Sequence, residues 1–127
     1  MAEGRDPAYK ALAPMLPVSD VARAIRFYTS IGFTVGNTHG PADGDPDWAW
    51  LYNNGAHLMV NRAEEAVEVD HGGPSLWLYT KDVATAREEL QARGLEVSEL
   101  EYPFYNPGGE FHVHDPDGYA VYIAHAD

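Results

Sequence analysis

Asp20-Val21-Ala22-Arg23-Ala24 and Asp82-Val83-Ala84-Thr85-Ala86 are one pattern written twice in this chain. The correspondence continues from Gly32-Phe33-Thr34-Val35 to Gly94-Leu95-Glu96-Val97. Self-similarity at a fixed spacing means one structural unit used twice. Each copy reads as a strand, an Asp-capped helix, a glycine stop and a second strand. Aspartate is a good N-cap, because its carboxylate accepts from the free N–H groups of the first turn and favours the positive end of the helix. Val21, Ala24, Ile25 and Tyr28 then recur at the spacing of one buried helical face, and Val83, Ala86 and Leu90 repeat that spacing more sparsely. Gly32 and Gly94 stand where a glycine ends a helix.

Downstream of each copy lies a turn-rich stretch and then a hairpin. In the first half, Gly40-Pro41-Ala42-Asp43-Gly44-Asp45-Pro46-Asp47 precedes Trp48–Tyr52, which returns through Asn53-Asn54-Gly55 into His57–Asn61. In the second half, the loop from Tyr102 to Gly109 precedes Phe111–His114, which returns through Asp115-Pro116-Asp117-Gly118 into Tyr119–Ala124. Asn-Gly and Asp-Gly are strong hairpin signals because their residues tolerate the backbone angles of tight turns. Each half is therefore β-α-β-β-β. The fold class is α+β, with one module at about 9–62, an acidic linker at about 63–73 and a second module at about 74–125.

The bulk properties bound the function. A chain of 127 residues, 45% hydrophobic and 22% charged, suits one small globular domain. A net charge of −12 speaks against nucleic-acid binding, which needs a basic surface, and is compatible with a cationic ligand. No apolar run has the length of a membrane helix, so no membrane association is expected. The first residues carry no apolar signal segment, and a cytoplasmic location is the expectation. With no cysteine, disulfides, thiolate metal sites and cysteine nucleophiles are excluded together. Phosphate loops, dinucleotide-binding glycine motifs and zinc-protease helices are absent as well.

Two segments carry a family resemblance. They are Leu16-Pro17-Val18-Ser19-Asp20-Val21-Ala22-Arg23-Ala24-Ile25-Arg26-Phe27-Tyr28 with Gly32-Phe33, and Glu110-Phe111-His112-Val113-His114-Asp115-Pro116-Asp117-Gly118-Tyr119. Over about Leu12 to Ala124 the chain resembles the vicinal oxygen chelate superfamily, the glyoxalase, bleomycin-resistance and dioxygenase group. The resemblance implies two βαβββ modules whose mixed sheets curl around a cleft, and a homodimer. It also implies a divalent metal held by the first and fourth strands of each module. The corresponding positions here hold Ala13, Met59, Ser75 and Tyr122. Alanine has no donor atom, methionine is soft, and serine and neutral tyrosine are poor ligands, whereas a hard or borderline ion wants carboxylates or imidazoles. His39, His57, His71, His112, His114 and His125 form no replacement set at ligand spacing. His71 and His125 read as ordinary polar side chains. No metal and no other cofactor are expected.

Strand alternation assigns the cleft wall. Leu58 and Val60, Leu76 and Leu78, Phe111 and Val113, and Val121 and Ile123 should face the helices. That leaves His57, Met59 and Asn61, Ser75, Trp77 and Tyr79, Glu110, His112 and His114, and Ala120, Tyr122 and Ala124 facing inward. Trp48, Trp50 and Tyr52 share a face, but the sequence leaves open which, since a slip of one residue inverts a strand. In metal-free resistance proteins of this family an aromatic residue near the Phe104–Tyr105 region contacts the ligand, which brings those two residues into the candidate set. The expected ligand-binding residues are thus Trp48, Trp50, His57, Met59, Trp77, Tyr79, Phe104, Tyr105, Glu110, His112 and Tyr122, with no catalytic residue assigned. Such a wall suits a small aromatic or conjugated compound, such as an antibiotic, bound and sequestered rather than turned over. The same rings could instead fill the cavity or form a dimer interface. The alternatives are a metal-independent enzyme using Glu110, His112 or His57 as acid or base, and, further down, a metal-dependent glyoxalase or dioxygenase.

Overall fold

The structure is a computed structural model and describes residues 4–67, 69 and 73–127. Strand β1 (Met15–Val18) leads into helix α1 (Val21–Ser30), β2 (Thr34–His39), β3 (Trp48–Asn53) and β4 (Ala56–Arg62). The second half comprises β5 (Ser75–Thr80), α2 (Val83–Ala92), β6 (Glu110–His114) and β7 (Ala120–His125). The first half forms a sheet of order β1-β4-β3-β2, and the second a sheet of order β5-β7-β6. In each sheet the strand before the helix runs parallel to the last strand, and the hairpin strands run antiparallel. The chain is therefore α+β and built on two modules, as the repeat implies. Residues 68 and 70–72 of the linking segment, His71 among them, lie outside the described residues.

The helices start and stop for the expected reasons. The Asp20 and Asp82 carboxylates accept from the backbone N–H groups of Arg23 and Thr85, each at 3.0 Å. Gly32 and Gly94 follow the caps Ile31 and Arg93 with φ of 118° and 91°, a region costly for any residue with a Cβ. Helix α1 buries Val21, Ala24 and Tyr28; α2 buries only Val83 and Leu90.

One core serves both halves. Val18, Leu51, Leu58 and Val60 from the first sheet belong to the same cluster as Phe111, Val113 and Val121 from the second. Each such side chain contributes roughly 1.5–3 kcal/mol by leaving water. A polar knot ties the halves at its edge. In the β6–β7 turn the Asp115 carboxylate accepts from the Tyr28 hydroxyl of α1 at 2.8 Å and from the N–H groups of Asp117 and Tyr119, both at 2.9 Å. The Asp117 carboxylate accepts from the N–H of Ser19 at 2.9 Å, and the Tyr119 hydroxyl donates to the Pro17 carbonyl at 2.7 Å. The turn of the second module thus seats itself at the start of α1 in the first.

One expectation is corrected. The second strand of the second module, expected from Leu95 onward, is not a regular strand. The N–H of Ser98 reaches the His112 carbonyl, but the N–H of His112 donates to the Ser98 hydroxyl (2.8 Å) instead of a backbone carbonyl. A serine side chain that takes the ladder's donor interrupts the ladder. Pairing survives only as an isolated bridge between Glu101 and Glu110.

Candidate functional site

The β3–β4 register settles the orientation that alternation left open. Trp48 lies opposite Asn61, Trp50 opposite Met59 and Tyr52 opposite His57, while Ala49 and Leu51 are fully buried under α1. Directly opposed residues share a face, so all three aromatics lie on the face of the first sheet turned away from the helix, together with His57 and Met59. The hairpin closes through Asn54 at φ 49°. The Trp50 indole Nε1 donates to His57 Nδ1 at 3.1 Å, and the two rings lie side by side, 5° from parallel with centroids 5.8 Å apart. Because Nδ1 accepts, the His57 ring proton resides on Nε2. Trp50 also lies over Gly36, where any Cβ would overlap the indole.

The matching face of the second sheet carries a row of rings across three strands. The register places Trp77 beside Tyr122 and Tyr122 beside His112. Trp77 and Tyr122 stack at 4.3 Å and 8°, and Tyr122 and His112 follow at 5.2 Å and 42°. Trp77 remains 38% exposed. These three rings, with Glu110 and Tyr105, line a pocket of about 370 Å³. Ser98, Glu101 and the buried Phe111 complete its lining; the first two were not among the expected residues. The signal was there, because the segment after a glycine stop must approach the next strand of its own module.

Glu110 is the one buried polar side chain lining this pocket. It is 6% exposed, and its Oε2 accepts from the Tyr105 hydroxyl at 3.0 Å. That hydrogen bond, and then desolvation, raise the Tyr105 phenol above the ordinary tyrosine value. Oε1 is buried and has no hydrogen-bond partner among the described residues. Ala124, expected to face the cleft, is instead fully buried. It lies opposite Glu110, beside the closing contact between the His125 N–H and the Gly109 carbonyl.

The structure thus gathers Trp77, Tyr105, Glu110, His112 and Tyr122 of the expected set in one pocket. Trp48, Trp50, His57 and Met59 lie together on the other sheet. Tyr79, 63% exposed, borders a second groove of about 680 Å³ between the β3–β4 hairpin and α2, which Trp77 also lines. Phe104 is 97% exposed and touches Tyr105 edge to face.

The positions of the family's metal ligands do not fit a divalent ion. Met59 and Tyr122 lie on the two open faces, Ser75 begins β5, and Ala13 precedes β1. The four offer one thioether, one hydroxyl and one phenol. Among the described residues no group of three or more His, Asp or Glu side chains could hold a metal ion. Among the same residues no helix is long and apolar enough to cross a membrane.

Residues 11–123 match the family model described as the Glyoxalase/Bleomycin resistance protein/Dioxygenase superfamily. Among solved structures, the chain is similar to a bleomycin-binding protein from bleomycin-producing Streptomyces verticillus complexed with copper(II)-bleomycin. The TM-score is 0.75 at 22% identity, covering 96% of this chain and 100% of that one. TnmS3, an antibiotic binding protein from Streptomyces sp. CB03234, gives 0.70 at 22% identity, covering 97% and 100%. Lactoylglutathione lyase from Agrobacterium tumefaciens gives 0.69 at 16% identity, covering 95% and 96%. Among curated proteins no sequence matches.

Proposed function

From the premise that this chain belongs to the glyoxalase/bleomycin resistance protein/dioxygenase superfamily, we propose that it binds and sequesters a small aromatic or conjugated compound of the antibiotic class, without a metal. The observation that carries this reading is the row Trp77, Tyr122 and His112 along a pocket of about 370 Å³. Stacked rings offer π-surface to a flat ligand, and a few polar groups beside them fix its orientation. The donor-poor Ala13, Met59, Ser75 and Tyr122 positions support a metal-free mode. Two of the similar structures are of proteins described as binding bleomycin and as antibiotic binding. In the reading proposed, two copies associate, since β1 and β5 each leave one edge of their sheet unpaired.

Thermal melting against a panel of aromatic natural products and divalent metals tests the proposal, because a ligand of the native state raises the midpoint. The expected result is a rise with one or more aromatic compounds and none with metals, with the compound recovered unaltered by chromatography. A rise with metals alone would overturn the reading. A chemically altered compound would replace sequestration by acid–base catalysis at Glu110 or His112.

A further inference from the structure

We infer that the pocket on the second sheet selects ligands carrying a protonated nitrogen, an amine, amidine or guanidine attached to the aromatic system, and that Glu110 is the residue that selects them. The inference rests on the binding reading above and names the ligand's charge. Glu110 lines the pocket while 94% of its surface is withdrawn from solvent, the complement of its 6% exposure. Only one carboxylate oxygen is satisfied, by Tyr105; Oε1 has no partner. Among the described residues no ion pair reaches this side chain. A buried carboxylate with an idle acceptor and no counter-charge is costly in an empty protein. A ligand that brings an N–H donor and a positive charge offsets both deficits at once.

The surroundings agree in sign. Glu101, the other carboxylate lining the pocket, has its backbone bridged to that of Glu110, and His112 is the one basic side chain there. No lysine or arginine lines the pocket. The faces of Trp77 and Tyr122 add the attraction of aromatic rings for cations. Tyr105, more than half exposed on the loop before β6, covers the carboxylate with its hydroxyl. Oε1 is itself closed to solvent while that hydroxyl sits on Oε2, so a ligand nitrogen reaches the carboxylate only as the hydroxyl moves aside, and ligand entry and loss of the Tyr105–Glu110 bond are coupled.

Calorimetric titration with two planar probes separates charge from stacking: proflavine, a cation at neutral pH, and acridine, uncharged there. The expected result for the wild type is a preference of about tenfold or more for proflavine, the scale of one charge-assisted hydrogen bond. Glu110→Gln should remove that preference, bringing proflavine affinity to within a few-fold of that for acridine. Glu65→Gln, which removes one exposed charge from the linking segment, should alter neither. Equal affinity of the wild type for the two probes, or a preference that survives Glu110→Gln, overturns the inference. The binding reading would then still stand if Trp77→Ala abolishes acridine binding. Binding of neither probe overturns both. Should Glu110→Gln fail to fold, Tyr105→Phe decides the matter: by removing the competing hydroxyl it should raise proflavine affinity a few-fold, and no gain or a loss overturns the inference.

Discussion

The two open sheet faces began as the same design and have been put to different uses. On the first sheet Trp50 is half-buried: its N–H is taken by His57, one face lies on Gly36, and Tyr52 and His57 lie beside it. On the second sheet the rings also stack and the Trp77 N–H is likewise taken, by the Ser75 hydroxyl, yet Trp77 stays 38% exposed and the neighbouring carboxylate has an oxygen without a partner. Satisfied aromatics hold a surface together, whereas a partly satisfied cluster beside a cavity is available to a ligand. Duplication supplies two equal scaffolds, and polar satisfaction decides which of them is a site.

Exchanging the two tryptophans is the strongest way to break this comparison. Trp77→Ala should weaken binding of an aromatic ligand by about 2 kcal/mol, roughly thirtyfold, with a small change in melting temperature. Trp50→Ala should do the reverse, lowering stability by about 2 kcal/mol and leaving affinity within a few-fold. Paired titration calorimetry and urea unfolding read both quantities. If Trp50→Ala costs the affinity and Trp77→Ala costs only stability, the assignment of roles is inverted.

The comparison also presumes that one core holds both sheets, and Tyr28 tests that. Burial, and then the Asp115 carboxylate, hold the Tyr28 phenol far above the ordinary tyrosine range. Tyr28→Phe leaves Asp115, itself raised by burial, without one of its donors and should cost roughly 1–3 kcal/mol. The pH dependence has a definite sign. A tyrosine whose folded pKa is raised gives stability that is complete below the unfolded value, 10.0, and lost as pH rises above it. Urea unfolding from neutral to strongly alkaline pH should therefore show a decline that is shallower in Tyr28→Phe. An equally steep decline in the variant would remove Tyr28 from the account.

Next in size is Gly36→Ala. A Cβ there would enter the Trp50 indole, and the ring must move or the strand must bend, at roughly 1 kcal/mol or somewhat more. The expected result is a lower melting temperature and an altered tryptophan fluorescence spectrum, with ligand affinity intact. Loss of affinity would show that the first sheet's face contributes to the site.

How far these features were legible in the sequence depends on the physics behind each. Caps, glycine stops and the Asn-Gly and Asp-Gly turns are local chemistry, and both modules follow from them. Leu58, Val60, Phe111, Val113 and Val121 are buried as alternation requires. Local rules do not reach the orientation of Trp48, Trp50 and Tyr52, because that depends on the register of a partner strand. They also fail at Ser98, whose hydroxyl replaces a backbone acceptor and dissolves an expected strand. The candidate residues were legible as a set of rings and carboxylates, but their division between two faces is a property of tertiary structure. That Glu110 is buried and only half satisfied could not be read from its neighbours in the chain, since its surroundings come from Tyr105, Ala124 and the bridge to Glu101.

The smallest expected effect probes the first sheet's closed state directly. His57 Nδ1 accepts the Trp50 N–H, and the two rings lie parallel side by side. His57→Phe keeps an aromatic ring beside the indole but removes the acceptor, so Trp50 loses a hydrogen bond worth about 1 kcal/mol. Part of that loss returns because Trp50 is only half-buried and water can take the vacated donor. The net change in unfolding free energy should fall below 1 kcal/mol, and affinity for any ligand of the second sheet should not change. The first sheet is thus expected to tolerate loss of its one aromatic hydrogen bond with little consequence, whereas removing the unsatisfied carboxylate on the second should change which ligands bind. A His57→Phe variant that loses ligand affinity by tenfold would mean that the face judged closed takes part in binding and that the two sheets share one site.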